Sequence, residues 1–195
     1  MKFLSVLIPL ALLSSQTVHA ANWYFLRWNT PSSSAQFQKF SMQMVTPTIQ
    51  KAGVYYLWPG LQDTGNTGVY QEVLDGRSGT WWIGPGWCCS NPSLPWGDGF
   101  NPGNGKAVDI TMTRDASGPN WTSILTSGSN SVTNKFPLSY KNFNQVMNTT
   151  QTAWCTNAPE NYNNAMRYTI SGAKATVSGG TTTCQIDQVV MEGPR

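Results

Sequence analysis

An all-β, two-sheet antiparallel β-sandwich is the fold class that this sequence predicts, and three observations predict it. Few segments carry the 3.6-residue apolar period of a helix. Short runs of aromatic, β-branched and alternating residues recur instead between clusters of Gly, Pro, Asn and Asp. Only 11% of the residues are charged, so the surface must be solvated by the abundant Asn, Gln, Ser and Thr, a composition that suits an extracellular β-rich protein better than a nucleic-acid binder. About a dozen short strands in one domain's length make two packed sheets the economical arrangement. No fixed-period repeat points to a propeller or solenoid.

Taken in order, residues 1–20 read as a secretory signal peptide. Lys2 supplies the charged start, residues 3–13 an almost unbroken apolar run, and Val18-His19-Ala20 a small-residue exit. Residues 21–195 are expected to form a single domain. The one histidine, His19, lies in the signal, so the mature chain has none. That excludes Ser-His-Asp and Cys-His catalysis, His-ligated zinc and a histidine general base. Strands are expected near 22–29, 38–46, 53–58, 68–74, 80–83, 107–113, 121–126, 132–136, 145–154, 165–170, 173–178 and 184–191. In the second, Phe40, Met42 and Met44 alternate with Ser41 and Gln43, the pattern of a strand with one face on a core. Residues 90–105 hold three Pro and four Gly and read as a long loop.

The basic residues are scattered singly, so neighbours in sequence build neither a phosphate-tracking stripe nor a polybasic membrane patch. After the signal no apolar run approaches a membrane span. The expectation is a soluble, secreted, extracellular monomer with no nucleic acid, membrane, metal or cofactor as partner. Four cysteines, Cys88, Cys89, Cys155 and Cys184, favour two disulfides in an oxidising compartment. Three pairings exist in principle. A bridge between the adjacent Cys88 and Cys89 would close a strained ring, so each is expected to reach a distant cysteine. Loops of that length contribute up to about 4 to 5 kcal/mol in the chain-entropy model. Two sequons, at Asn120 and Asn148, fit surface N-glycosylation.

The densest signal runs from residue 55 to residue 96. If 68–74 is a strand, Val69, Gln71 and Val73 share one face and Tyr70, Glu72 and Leu74 the other. Gln71 is then an amide between two β-branched residues, on what reads as a concave, ligand-facing side; a buried amide needs hydrogen-bond partners. Glycosidase chemistry needs two carboxylates flanking a sugar. The close acid pairs, Glu72/Asp75 and Asp187/Glu192, have odd offsets that point the side chains apart on a strand, so these acids read as turn and surface carboxylates. Nine tryptophans exceed what a core of this size requires. Trp81 and Trp82 are adjacent, so a strand sends one to the core and the other outward. The outward one, with Trp58, Trp87, Trp96 and the nearby Asp98, is expected to form a sugar-stacking platform.

The run Tyr55-Tyr56-Leu57-Trp58-Pro59-Gly60-Leu61-Gln62, then a loop, then Gly68-Val69-Tyr70-Gln71-Glu72-Val73-Leu74 resembles the glutamic peptidases, or eqolisins, secreted fungal enzymes with a concanavalin-A-like jelly roll. With its Trp-rich strand ending in Cys88-Cys89, it is also similar to a set of uncharacterised secreted microbial proteins. The peptidase resemblance implies that Gln71, with a glutamate on a neighbouring strand, activates a water and stabilises a tetrahedral oxyanion. The stretch where that glutamate is expected, 146–155, has no acid. The nearest is Glu160, in a loop-like Ala158-Pro159-Glu160-Asn161 context. The sequence thus supports a secreted glycan- or cell-wall-associated binding protein using a Trp-rich loop region. An eqolisin-like acid hydrolase centred on Gln71 and Glu160, or an interaction protein with a non-catalytic cleft, stands as the alternative.

Overall fold

The computed structural model describes residues 25–30, 32, 34–50, 53–89, 92–146, 159–162, 167–179 and 181–192. Among the described residues every regular element is a strand. They are β1 (Phe25–Asn29), β2 (Lys39–Val45), β3 (Tyr56–Leu57), β4 (Gly60–Gln62), β5 (Val69–Asp75), β6 (Trp82–Cys88), β7 (Ala107–Arg114), β8 (Trp121–Ser127), β9 (Asn130–Phe136), β10 (Gln145–Val146), β11 (Glu160–Tyr162), β12 (Arg167–Ser171), β13 (Lys174–Ser178), β14 (Thr181–Gln185) and β15 (Gln188–Glu192).

The larger sheet runs β11-β1-β10-β4-β5, with β6 on the far side of β5. β3 and β4 act as one strand: Leu57 pairs with Leu74 and Gly60 with Gln71 in an unbroken antiparallel register. Pro59 interrupts it because it has no N–H to give, although its carbonyl still accepts from Glu72 N at 3.0 Å. The smaller sheet is β2-β7-β8-β9. The two sheets pack face to face in a sandwich-like, all-antiparallel body.

Alternation on each strand builds the core. Leu26 and Trp28 of β1, Tyr70 and Leu74 of β5, and Ile83 and Trp87 of β6 point inward from the larger sheet. Val108, Ile110 and Met112 of β7 and Trp121 and Leu125 of β8 meet them from the smaller one. Phe40 of β2 is buried in this core, and Met42 and Met44 pack against it. At its centre the Tyr70 ring contacts Trp121, Phe136 and Phe143 at centroid distances of 6.0, 5.3 and 6.2 Å.

Glu72 corrects one expectation. It is fully buried between the sheets rather than at the surface, because the face it shares with Tyr70 and Leu74 is the core face. Its Oε1 accepts from Ser123 Oγ at 2.6 Å, and among the described residues its Oε2 has no partner. Burial, opposed by the weaker Ser123 hydrogen bond, raises its pKa to about 8.

Residues 167–179 and 181–192 form an arm outside the sandwich sheets. β12 pairs β15 and β13 pairs β14 in one continuous register, Arg167 with Glu192 through to Ser178 with Thr181. The strand expected over 184–191 is therefore two, parted at Ile186–Asp187, where the Asp187 N–H donates to the Ser171 carbonyl.

The cysteines also differ from expectation. Cys88 and Cys89 are joined to each other in a vicinal disulfide, Cα to Cα 3.7 Å. β6 ends at Cys88, and Cys89 takes a φ of 78°, which turns the chain out of the strand and brings the neighbouring side chains together. Cys184 sits on the arm and is itself disulfide-bonded, so it does not serve Cys88 or Cys89. Cys155 lies outside the described residues, as does Asn148. Asn120 is half-buried in the β7–β8 turn, where its carbonyl accepts from Asp115 N.

Candidate functional site

The face of the larger sheet turned away from the core carries a cleft of about 1540 Å³. From β1 to β6 it crosses four inter-strand steps, about 19 Å. Its floor is β5, whose outward residues Val69, Gln71, Val73 and Asp75 all line it. On one side Gln71 faces Gly60 and on the other Gly86; Val73 faces Gly84. The glycines have a steric cause. A Cβ on Gly84 would fall on the six-membered ring of Trp82, and one on Gly86 would fall on that of Trp96. The two indoles therefore lie against the β6 backbone and wall the cleft beside Val73 and Gln71. Trp58, opposite Val73 in the β3–β4 register, stands on the other side.

The 90–105 loop supplies Trp96 by running back along β6. Gly97 N donates to Pro85 O at 2.9 Å, and Phe100 exchanges hydrogen bonds with Ile83. Pro85 sits within a strand because its nitrogen faces this edge rather than β5. Trp96 stays 50% exposed, with one ring face on the strand and one toward the cleft. The vicinal pair Cys88–Cys89 closes the β6 end.

Gln71 is 7% exposed. Among the described residues its side-chain amide makes no hydrogen bond, and its polar atoms open to the cleft rather than standing enclosed like the unpartnered groups of the core. Around it the other polar lining is neutral: Gln62, Thr64, Asn66, Ser78 and Gln145. The charged lining residues are Arg27, Asp75 and Arg77. Arg77 grips Asp75 with NH2 to Oδ2 at 2.7 Å. Burial pushes the Asp75 carboxyl up, but the Arg77 side-chain and backbone hydrogen bonds and the Arg77 charge together hold it below its ordinary value.

Several expected site residues take other places. Trp82, Trp96 and Trp58 line the cleft with Gln71, while Trp81 turns to the core and donates to Pro47 O at 2.6 Å. Trp87 is a core residue, 5% exposed, because it alternates with Gly86 and so points inward; it does not belong to the platform. Asp98 does not line the cleft either. Its backbone N–H and C=O are held by the Asn134 side chain of β9, at 2.8 and 3.0 Å. Glu160 lies on edge strand β11 rather than in a loop. It shares the cleft side of the sheet with Gln71 but sits four strands away, about 19 Å along the sheet, and is held by Arg27 at 2.7 Å and Asn29 at 3.0 Å. One water cannot bridge Gln71 and Glu160 at that separation. The residues that sequence reasoning passed over are Tyr56, Arg77, Gln145 and the two strand glycines. The Gly-Pro-Gly run of β6 reads as a turn unless the bulky indoles on either side of it are placed on its backbone.

No protein-family model matches the chain, and neither the curated proteins nor the solved structures include a match to it.

Proposed function

We propose that this is a secreted glycan-binding protein on a concanavalin-A-like jelly roll, holding an extended sugar chain in the cleft above β5. The observation that carries the reading is Gln71, whose side-chain amide makes no hydrogen bond among the described residues and opens to the cleft, at the floor of a trough walled by Trp58, Trp82 and Trp96. A sugar offers both complements: a C–H face that packs on an indole and hydroxyls that satisfy an amide from either its N–H or its C=O side. The volume exceeds what a single small molecule fills, which favours an oligomer.

The positions of the acids support binding over hydrolysis. Among the described lining residues Asp75 is the carboxylate, and the ion pair with Arg77 favours its charged form, the wrong state for a general acid. It is also four residues from Gln71 along β5, about 13 Å. The stretch 147–158 has no acidic residue to add. An eqolisin-like hydrolase centred on Gln71 needs a carboxylate beside that amide, so the resemblance is better read here as shared architecture than as shared chemistry.

The test is retention of the purified, signal-free protein in native gels containing a neutral soluble polysaccharide, run for β-glucan, xyloglucan, mannan and glycol chitin. At least one should slow the wild type, and Trp96→Ala should lose most of that retardation while melting at an unchanged temperature. Wild-type mobility that no polysaccharide alters would remove the reading.

A further inference from the structure

Among the described residues the cleft presents two guanidinium groups, and each is already paired with a carboxylate of the protein. Arg27 is paired with Glu160 through NH2 and Nε, at 2.7 and 2.9 Å, and Glu160 is further held by Asn29. Arg77 is paired with Asp75 through NH2 and Nε, at 2.7 and 2.9 Å, and its backbone N–H also donates to Asp75 Oδ1. Each pair is built on the sheet's own geometry. Arg27 and Glu160 are direct cross-strand partners on β1 and β11, and Arg77 follows Asp75 in the β5–β6 turn. The pairs stand at opposite margins of the cleft, β1 on one side and the end of β5 on the other, and the other described lining residues are uncharged. The 147–158 stretch adds no charge of either sign.

Resting on the glycan reading above, we infer that the cleft selects uncharged polysaccharide, and that Glu160 and Asp75 are specificity residues. Each cancels an arginine that would otherwise draw uronate or sulfate groups. A guanidinium is a natural partner for a sugar carboxylate. Here that fork is already filled by a carboxylate of the protein, so an acidic sugar would meet a like charge beside every cation. Specificity by an unfavourable term against the wrong partner is a general device. Neutral sugars lose nothing by it, because their contacts are apolar and hydrogen-bonding.

The experiment compares retention in gels of neutral β-glucan, mannan and fully N-acetylated glycol chitin against polygalacturonate and alginate, at 20 and 500 mM NaCl, for wild type, Glu160→Gln and Asp75→Asn. Wild type should be held by a neutral polymer with less than a twofold change across the salt range, and should pass polygalacturonate and alginate unretarded. Both variants should gain retention on the acidic polymers, roughly threefold to fivefold at 20 mM and lost at 500 mM, and Glu160→Gln, whose side chain is not part of the cleft lining, should keep its neutral binding. The two variants lie at separate margins, so a folding defect in one leaves the other as the test. Retention of wild type on acidic polymers alone, or variants that gain nothing on them, would overturn the inference while leaving glycan binding intact. A wild type retained by none of the polymers would remove the glycan reading, and this inference with it.

Discussion

Replacing Glu72 by Gln gives the sharpest stability test. The folded protein holds the Glu72 proton up to about pH 8, whereas an unfolded chain releases it near the ordinary carboxyl value of 4.5. Between those values the native state binds more protons than the unfolded state, so stability falls as pH rises. The full interval corresponds to about 5 kcal/mol, and the loss between pH 4.5 and pH 7 to about 3 kcal/mol. That is a large part of the 5 to 15 kcal/mol by which domains are typically stable. Glu72→Gln keeps the shape and the oxygen that accepts from Ser123, but cannot ionise. It places an NH2 where Oε2 has no partner among the described residues, which costs about 1 to 3 kcal/mol at every pH. The variant should therefore be the less stable protein near pH 4.5 and the more stable one by pH 8. Urea titrations at half-unit steps from pH 4 to 9, with m-values to establish two-state behaviour, give the difference directly. Wild-type-minus-variant stability that is flat across pH 5 to 8 would refute the burial argument.

Other consequences follow from the same geometry. Ser123→Ala removes the hydrogen bond that favours the Glu72 anion, so it should destabilise the protein by about 1 to 3 kcal/mol and move the alkaline loss of stability to higher pH, read from the same urea series. Trp87→Ala should cost about 3 to 5 kcal/mol of stability as a core truncation, whereas Trp96→Ala should leave the melting midpoint within about 2 °C and weaken glycan binding about fivefold to tenfold; equal stability losses would place both in the core. Gln71→Ala should weaken binding about twofold to tenfold, the value of a neutral hydrogen bond, measured by calorimetry at unchanged stability. Changing Cys88 and Cys89 together to Ser removes a bond that closes almost no chain, so thermal stability should barely move while glycan binding at the β6 end weakens.

Much of the fold was legible because alternation is a local property. The two faces of β5, the core side of Phe40, Met42 and Met44, and the opposite directions of Trp81 and Trp82 follow from a period of two. The same period, carried one step further, places Glu72 in the core beside Tyr70 and Leu74. A charged residue is rarely buried unpaired, and the odd offset between Glu72 and Asp75 shows only that the two point apart, not which of them faces the core. Features that depend on distant partners were not legible. Pro159 and Asn161 give Glu160 a loop-like context, but Pro159 stands just before β11 and Asn161 pairs with Leu26 of β1 within it. Trp87 lies among aromatic and glycine residues that line the cleft, and only the extension of β6 through Pro85 turns it inward. The Cys88–Cys89 bond depends on one positive φ at the strand's end, which composition does not encode.

The most direct measurement of the central claim is the indole N–H spectrum of the protein on addition of a neutral hexasaccharide, cellohexaose or chitohexaose, at millimolar concentration. Among the described tryptophans, Trp58, Trp82 and Trp96 line the cleft while Trp28, Trp81, Trp87 and Trp121 are buried on the core side. The account predicts that the first three indole resonances and the Gln71 side-chain amide shift together along one binding isotherm, with the four core indoles unmoved. Shifts confined to the core indoles, or a saturating isotherm that leaves Gln71 and Trp96 in place, would contradict it.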